Sequence, residues 1–182
     1  MEELSLHILD ILQNSVEAKA DFIQLKIVED IEKDILSIKI KDNGSGMDNE
    51  EASKACSPFY STRKTRKIGM GLPLLQANAE ACGGYLRLTS KKKEGTCVFA
   101  LFRRSHWDTP PLGNIASSIC TFLAWNEPVH LVYTHVVNKK TFTLDTREII
   151  EKIDPLPINT PSILVWIKDY INSGLKDLKK GR

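Results

Sequence analysis

Asp42-Asn43-Gly44-Ser45-Gly46-Met47 follows directly on an apolar run, Ile35 to Ile40, and the reading of this stretch decides the fold. The run has the length and composition of a buried strand, so one carboxylate stands at a strand end with two glycines close behind it. Gly44 and Gly46 permit positive φ and a close approach of backbone to a flat ligand. In a mostly apolar pocket, Asp42 is suited to accept hydrogen bonds from an exocyclic amine such as that of adenine. Asp-x-Gly-x-Gly alone also fits an ordinary strand-ending turn, so the choice rests on the neighbouring segments.

Upstream, Leu4, Ile8, Leu9, Ile11, Leu12 and Val16 recur at helical spacing, and the spacing predicts a helix over residues 4–18. His7, Asp10, Asn14 and Glu17 form its polar edge. That edge is either a solvated face or the place where Asp10 and Asn14, one turn apart, converge on a ligand. In the second case Asn14 offers an amide oxygen to Mg²⁺, a hard cation that fills its remaining positions with water and phosphate oxygens. Asp10 would orient or deprotonate a water or hydroxyl near a terminal phosphate. Between this helix and Asp42, Ile23, Leu25 and Ile27 alternate on one face, and an acidic turn at residues 30–34 completes a hairpin.

Downstream, a short polar helix over 48–55 stops at Pro58, and Phe59-Tyr60 precedes the basic, hydroxyl-rich run Ser61 to Lys67. That run leads through Gly69-Met70-Gly71-Leu72 into a helix ended by Gly83-Gly84. Backbone N–H groups at Gly69, Gly71 and Leu72, at a helix N-terminus, suit an anion, and the cations of the run would cover it as a lid. A solvated basic loop with helix-entry glycines is the plainer alternative. Strands over 85–89 and 97–102 close the sheet.

Composition narrows the classes. The 182 residues are 42% hydrophobic and 26% charged, with a net charge of +2, which suits one ordinary domain or a domain with a smaller appended module. Such a charge predicts no general affinity for nucleic acid or membranes. No signal-peptide pattern or membrane-length apolar stretch is present, so a cytoplasmic location is expected. Cys56, Cys82, Cys97 and Cys120 are too widely spaced for a zinc motif and are expected to be reduced, mostly buried thiols.

Four stretches now stand in order: Asp10-x-x-x-Asn14-Ser15-Val16-Glu17-Ala18; Asp42 to Met47; Pro58-Phe59-Tyr60-Ser61-Thr62 with Gly69-Met70-Gly71-Leu72; and Glu94-Gly95-Thr96. Their order and spacing resemble the nucleotide boxes of the Bergerat-fold superfamily, the gyrase, heat-shock chaperone, histidine kinase and mismatch-repair ATPases, over roughly residues 4–104. The resemblance implies an α+β fold: a two-layer α/β sandwich with a mixed sheet covered by helices on one face, binding ATP with Mg²⁺. It gives Asn14 the metal-ligating role, Asp42 the adenine amine and Gly46 the backbone beside the base. Gly69, Gly71 and Leu72 become the phosphate turn, and Thr96 the hydroxyl that shares a water with Asp42 and adenine. Ala18, Gly44 and Met47 line the pocket, while Thr62, Lys64 and Lys67 belong to the lid.

The first box is most similar to mismatch-repair ATPases, and residues 58–84 to the catalytic domain of sensor histidine kinases. In the ATP-hydrolysing branches a glutamate stands where this chain has Asp10. The shorter side chain sets its carboxylate back by roughly an ångström, a distance that matters to catalytic geometry. The helical hairpin that carries the phosphoacceptor histidine in sensor kinases is not expected before this helix, and His7, on the helix itself, is not expected to be that acceptor. From Trp107 the composition shifts, so residues 1–106 are expected to form the ATP-binding domain and 107–182 a small C-terminal α+β extension of unknown role. In the extension, residues 112–123 read as a helix, 130–137 with 141–144 as a hairpin, Asp145 with Glu148 as a capping box, and Thr160-Pro161 as the start of a last amphipathic helix.

The function expected is an ATP-dependent, histidine-kinase-like phosphotransferase acting on a separate protein partner. The alternatives are a slow ATPase or ATP-dependent switch, and a module that binds no nucleotide. The extension is too short to resemble the second domain with which the clamp ATPases deliver a lysine to the γ-phosphate.

Overall fold

The computed structural model describes residues 3–55, 71–126 and 128–180. Helix α1 (Leu4–Glu17) buries Leu4, Ile8 and Leu12 along one stripe. Among the described residues no side chain caps its first turn. Instead Leu4 N–H and Ser5 N–H donate to the carbonyls of Pro111 and Leu112 at 2.9 Å each, so a segment a hundred residues away satisfies these orphan donors. At the other end Lys19 takes φ 63° and the N–H of Ala20 donates to the carbonyl of Ser15, a left-handed helix stop.

The predicted hairpin is β1 (Phe22–Asp30) with β2 (Ile35–Asp42). Asp48 and Glu51 exchange backbone hydrogen bonds in a capping box that opens α2 (Asn49–Ala55). Helix α3 (Gly71–Ala81) ends at Gly83, φ +75°, where the sequence places a stop. Strands β3 (Tyr85–Lys91) and β4 (Gly95–Arg103) follow, then α4 (Ile115–Trp125), β5 (His130–Val137), β6 (Lys140–Asp145), α5 (Thr146–Ile153) and α6 (Pro161–Lys179). Asp145 caps α5 by accepting from Arg147 N–H, and Ile163, Ile167 and Ile171 of α6 are buried as their spacing requires.

Among the described residues six strands form one sheet, ordered β3-β4-β2-β1-β5-β6. Every pairing is antiparallel except β1 with β5, which run parallel over eight residues from Phe22 opposite His130 to Glu29 opposite Val137. Residues 107–182 thus extend the sheet of the first 106 and share its core: Ile23, Leu25, Ile27, Leu131 and Tyr133 are buried together with residues of α1, α4 and α6. Helices α1, α3, α4, α5 and α6 bury residues in this core, and the opposite face of the sheet carries the exposed Lys26, Lys39 and Arg87. The expected two-layer sandwich is the architecture found. Among the described residues, Cys82, Cys97 and Cys120 are free thiols, Cys82 buried and the others half-buried. No described helix is long and apolar enough to cross a membrane.

Candidate functional site

Asp42, the last residue of β2, is only 6% exposed, and its carboxylate receives three donors. Ser15 Oγ of α1 donates to Oδ2 at 3.0 Å, while the N–H groups of Gly44 and Thr96 donate to Oδ1 at 2.9 and 3.2 Å. A buried carboxylate is tolerated where such bonds replace its water. The arrangement ties α1, the loop after β2 and the start of β4 to one group. Asn43 fixes the turn from outside: its Oδ1 accepts from Asp21 N–H and Phe22 N–H, and its Nδ2 donates to Asp21 Oδ1 at 2.6 Å.

The glycines are there for contact. A Cβ on Gly44 would lie 2.7 Å from the carbonyl oxygen of Ala18, and one on Gly46, at φ +62°, would lie 1.9 Å from that of Lys91. Gly95, φ +94°, packs its Cα face against the carbonyl of Asp42, where a Cβ would come within 2.0 Å. The strand end, the end of α1 and the β3–β4 turn therefore meet backbone to backbone, as Ser45 N–H to Ala18 O and Lys93 N–H to Ser45 O, both 2.7 Å, confirm.

Ser90 adds a hydroxyl cluster that reading the sequence missed. Its Oγ accepts from Met47 N–H at 2.8 Å, lies 2.8 Å from Thr96 Oγ1, and donates to the carbonyl of Gly95 at 3.1 Å. The signal was available only in the register, since Ser90 faces Thr96 directly across the β3–β4 hairpin. Beside it, Lys92 pairs with Asp48 at 2.8 Å, and the Glu51 N–H together with that ammonium holds the Asp48 carboxyl below its usual range.

On α1, Asp10 and Asn14 are half-buried, and Asp10 lies against the first residue of α3: a Cβ on Gly71 would fall 1.8 Å from its Oδ2. His7, on the edge that a solvated reading would leave in water, is only 3% exposed and accepts at Nε2 from Asn78 Nδ2 of α3, 3.2 Å away. The α1 edge is thus an interface with α3. Leu72 sends its side chain into the core, leaving its backbone at the helix start.

Asp10, Asn14, Ala18, Asp42, Gly44, Gly46, Met47, Gly71, Leu72 and Thr96 all lie on elements joined by these contacts at one end of the sheet. Thr62, Lys64, Lys67 and Gly69 lie outside the described residues. Among those described, no cluster of three His, Cys, Asp or Glu side chains is placed to hold a metal ion. The oxygen donors Asn14 and Asp10 suit a hard cation that takes one or two protein ligands and draws the rest from water and phosphate.

Comparison with known proteins agrees with this fold. A model of the histidine kinase-, DNA gyrase B- and HSP90-like ATPases matches residues 2–106. Among curated proteins, the sensor histidine kinase YvrG of Bacillus subtilis is 25% identical over 99 residues, 52% of this chain and 17% of its own length. The sensor protein kinase FleS of Pseudomonas aeruginosa is 34% identical over 91 residues, 50% of this chain and 22% of its own. A probable C4-dicarboxylate sensor kinase of Halalkalibacterium halodurans is 37% identical over 71 residues, 39% of this chain and 13% of its own. The chain thus spans about a fifth or less of the length of these relatives. A solved structure, the N-terminal domain of a DNA repair protein, shares the fold at 16% identity with a TM-score of 0.50, covering 80% of this chain and 53% of that one. With more than half of its residues matched by the family model and an ATPase family's fold around Asp42, the chain belongs to the histidine kinase-, DNA gyrase B- and HSP90-like ATPases.

Proposed function

We propose that the chain acts in the cytoplasm, binds Mg²⁺-ATP at the Asp42 end of the sheet and transfers the γ-phosphoryl group to a separate protein. The observation that carries this reading is the convergence of Ser15, Gly44 and Thr96 on the buried Asp42, with Asn14 and Asp10 following on the same helix toward the start of α3. In this reading the adenine amine is received by Asp42, which still has acceptor capacity on Oδ2. The hydroxyls of Thr96 and Ser90 hold the base side of the pocket. Asn14 would hold Mg²⁺ through its amide oxygen, and the metal would supply charge neutralisation at the phosphates. Asp10, a methylene shorter than the glutamate of the hydrolysing branches, leaves water poorly placed, so the acceptor protein brings its own nucleophile. Sensor kinases among the relatives support the same choice.

A second reading is an ATP-dependent switch or slow ATPase. The tie between the first turn of α1 and Pro111-Leu112 favours it, because a nucleotide-driven shift of α1 would reach the region after residue 107.

Steady-state turnover of the purified protein separates the two. Phosphotransfer predicts very slow hydrolysis, with Asp10→Asn leaving nucleotide binding nearly intact and Asn14→Ala abolishing Mg²⁺-dependent reaction. Brisk hydrolysis that Asp10→Asn eliminates would replace the kinase reading with the ATPase one.

A further inference from the structure

The open face of the sheet carries a row of side chains fixed by strand register. Arg87 on β3 faces Phe99 on β4, Phe99 faces Lys39 on β2, and Lys39 faces Lys26 on β1. Lys41 stands two residues on from Lys39, on the same face. Lys26, Lys39, Lys41 and Arg87 are all exposed, and none forms an ion pair with a described carboxylate. Asp30 and Asp145, at the two ends of the face, are already engaged with Lys33 and His130. Two lysines directly opposite each other in an antiparallel pair repel, so the isolated sheet bears a cost there that an anionic partner would remove.

Beside the cations runs a second row, Tyr85, Leu101, Val28 and Val136, separated only by Ser37 and therefore mostly apolar. Neighbouring strands are about 4.8 Å apart, close to the roughly 5.4 Å pitch of an α-helix. A helix laid across the strands places side chains one turn apart over successive strands. We infer that this face docks an acidic amphipathic helix of a protein partner, its carboxylates over Arg87, Lys39, Lys26 and Lys41 and its apolar stripe on the adjoining row.

Two other occupants fit less well. A second copy of this chain in the same pose would set cations against cations. Single-stranded nucleic acid needs exposed rings for stacking, yet of the described aromatics on this face only Tyr85 is exposed and the Arg87 guanidinium lies over it, 5.9 Å from the ring centre. The inference does not depend on ATP, because the helices and the Asp42 site lie toward the opposite face.

The test uses the full chain and a fluorescent, end-capped synthetic helix with Glu one turn apart beside a Leu stripe, at low salt. Anisotropy should show salt-sensitive binding, and amide shifts should cluster at residues 24–28, 37–41, 85–89 and 97–101. The combined variant Lys26→Glu, Lys39→Glu, Lys41→Glu should weaken binding about tenfold or more, since three favourable pairs become repulsive. Lys26→Gln, Lys39→Gln, Lys41→Gln should weaken it in the same direction, and Lys139→Glu, Lys152→Glu, Lys168→Glu, with the same change in net charge, should leave it within about twofold. Equal losses in the two glutamate sets, shifts confined to other residues, or no binding at about 1 mM peptide would overturn the inference. So would tighter binding of oligo(dT) to the same face, or sedimentation showing a dimer that the face variant dissolves.

Discussion

Asp42→Asn should separate what the fold needs from what the ligand needs. Three donors converge on the carboxylate: Ser15 Oγ on Oδ2, and the N–H groups of Gly44 and Thr96 on Oδ1. Asparagine keeps one oxygen. Turned toward Gly44 and Thr96, that oxygen retains both backbone bonds, and the new amide faces Ser15. The Ser15 hydroxyl already lies 3.2 Å from the Ile11 carbonyl, so it can give its proton there and accept from the amide. No buried donor is stranded, and the cost to folding is the difference between charge-assisted and neutral bonds, about 1 kcal/mol. An adenine amine arriving at the former Oδ2 meets a donor instead of an acceptor. That mismatch is worth about 1–3 kcal/mol, or roughly 5- to 150-fold in Kd. Urea unfolding gives the first quantity and calorimetric titration with a non-hydrolysable ATP analogue gives the second. If both proteins bind the analogue equally, the base is not received by Asp42. If unfolding instead shows a loss above about 4 kcal/mol, the Ser15 rearrangement does not occur and Asp42 is chiefly a structural group.

Four further outcomes are expected. Tyr133 O–H lies 2.7 Å from His135 Nδ1, and His135 Nε2 lies 3.0 Å from Glu29, all buried, so Tyr133→Phe strands an imidazole nitrogen and should cost about 1–3 kcal/mol by denaturant unfolding. The hydrogen bond from His135 holds the Glu29 carboxyl below its usual value of 4.5, so its contribution is complete above that pH and lost as the pH falls through the lower folded value; Glu29→Gln should flatten this part of the acid limb of a stability profile. Gly174→Ala should destabilise despite a gain in helix propensity of about 1 kcal/mol, because its Cβ would lie 2.1 Å from the Phe142 ring and 2.9 Å from the atom anchoring that ring, forcing α6 away from β6; a thermal melt reads the sign. Lys26→Glu, facing Lys39, should raise stability by about 0.2–1 kcal/mol, and a fall would show that the two lysines do not repel.

Local pattern carried most of the architecture. The stripe of α1, the alternation of β1, the Gly83 stop and the Asp145 cap are each written within a few residues, and each stands where its spacing puts it. Asp42 was equally legible, because a strand end followed by two glycines is a local signal, and Gly44 and Gly46 prove to be contacts that a Cβ would block. The partners of Asp42 were harder to read. Ser15 looks like any serine on an amphipathic helix, and Ser90 like any strand hydroxyl, until the fold brings one to the carboxylate and the other to Thr96. His7 is the same case: periodicity assigns it to a polar edge, and only the arrival of α3, with Asn78 as donor, buries it there.

Parallel pairing explains why the relation of the two parts of the chain left no mark in the sequence. Antiparallel neighbours joined by a short turn announce each other, but β1 and β5 are separated by six described elements and recognise one another only through matched burial, Ile23, Leu25 and Ile27 beside Leu131, Tyr133 and His135. The composition shift at Trp107 falls where the family model ends, yet hydrogen bonds cross that point at both ends of the fold: Leu4 and Ser5 to Pro111 and Leu112, and Glu29 to His135. Removing the later segment would bare the β1 edge, uncover the stripe that Ile115, Ile119 and Phe122 of α4 help to bury, and leave Glu29 without its imidazole. Helix α1 and the sheet beneath it are therefore held from the C-terminal side, so the geometry around Asp42 depends on residues that carry none of its motifs.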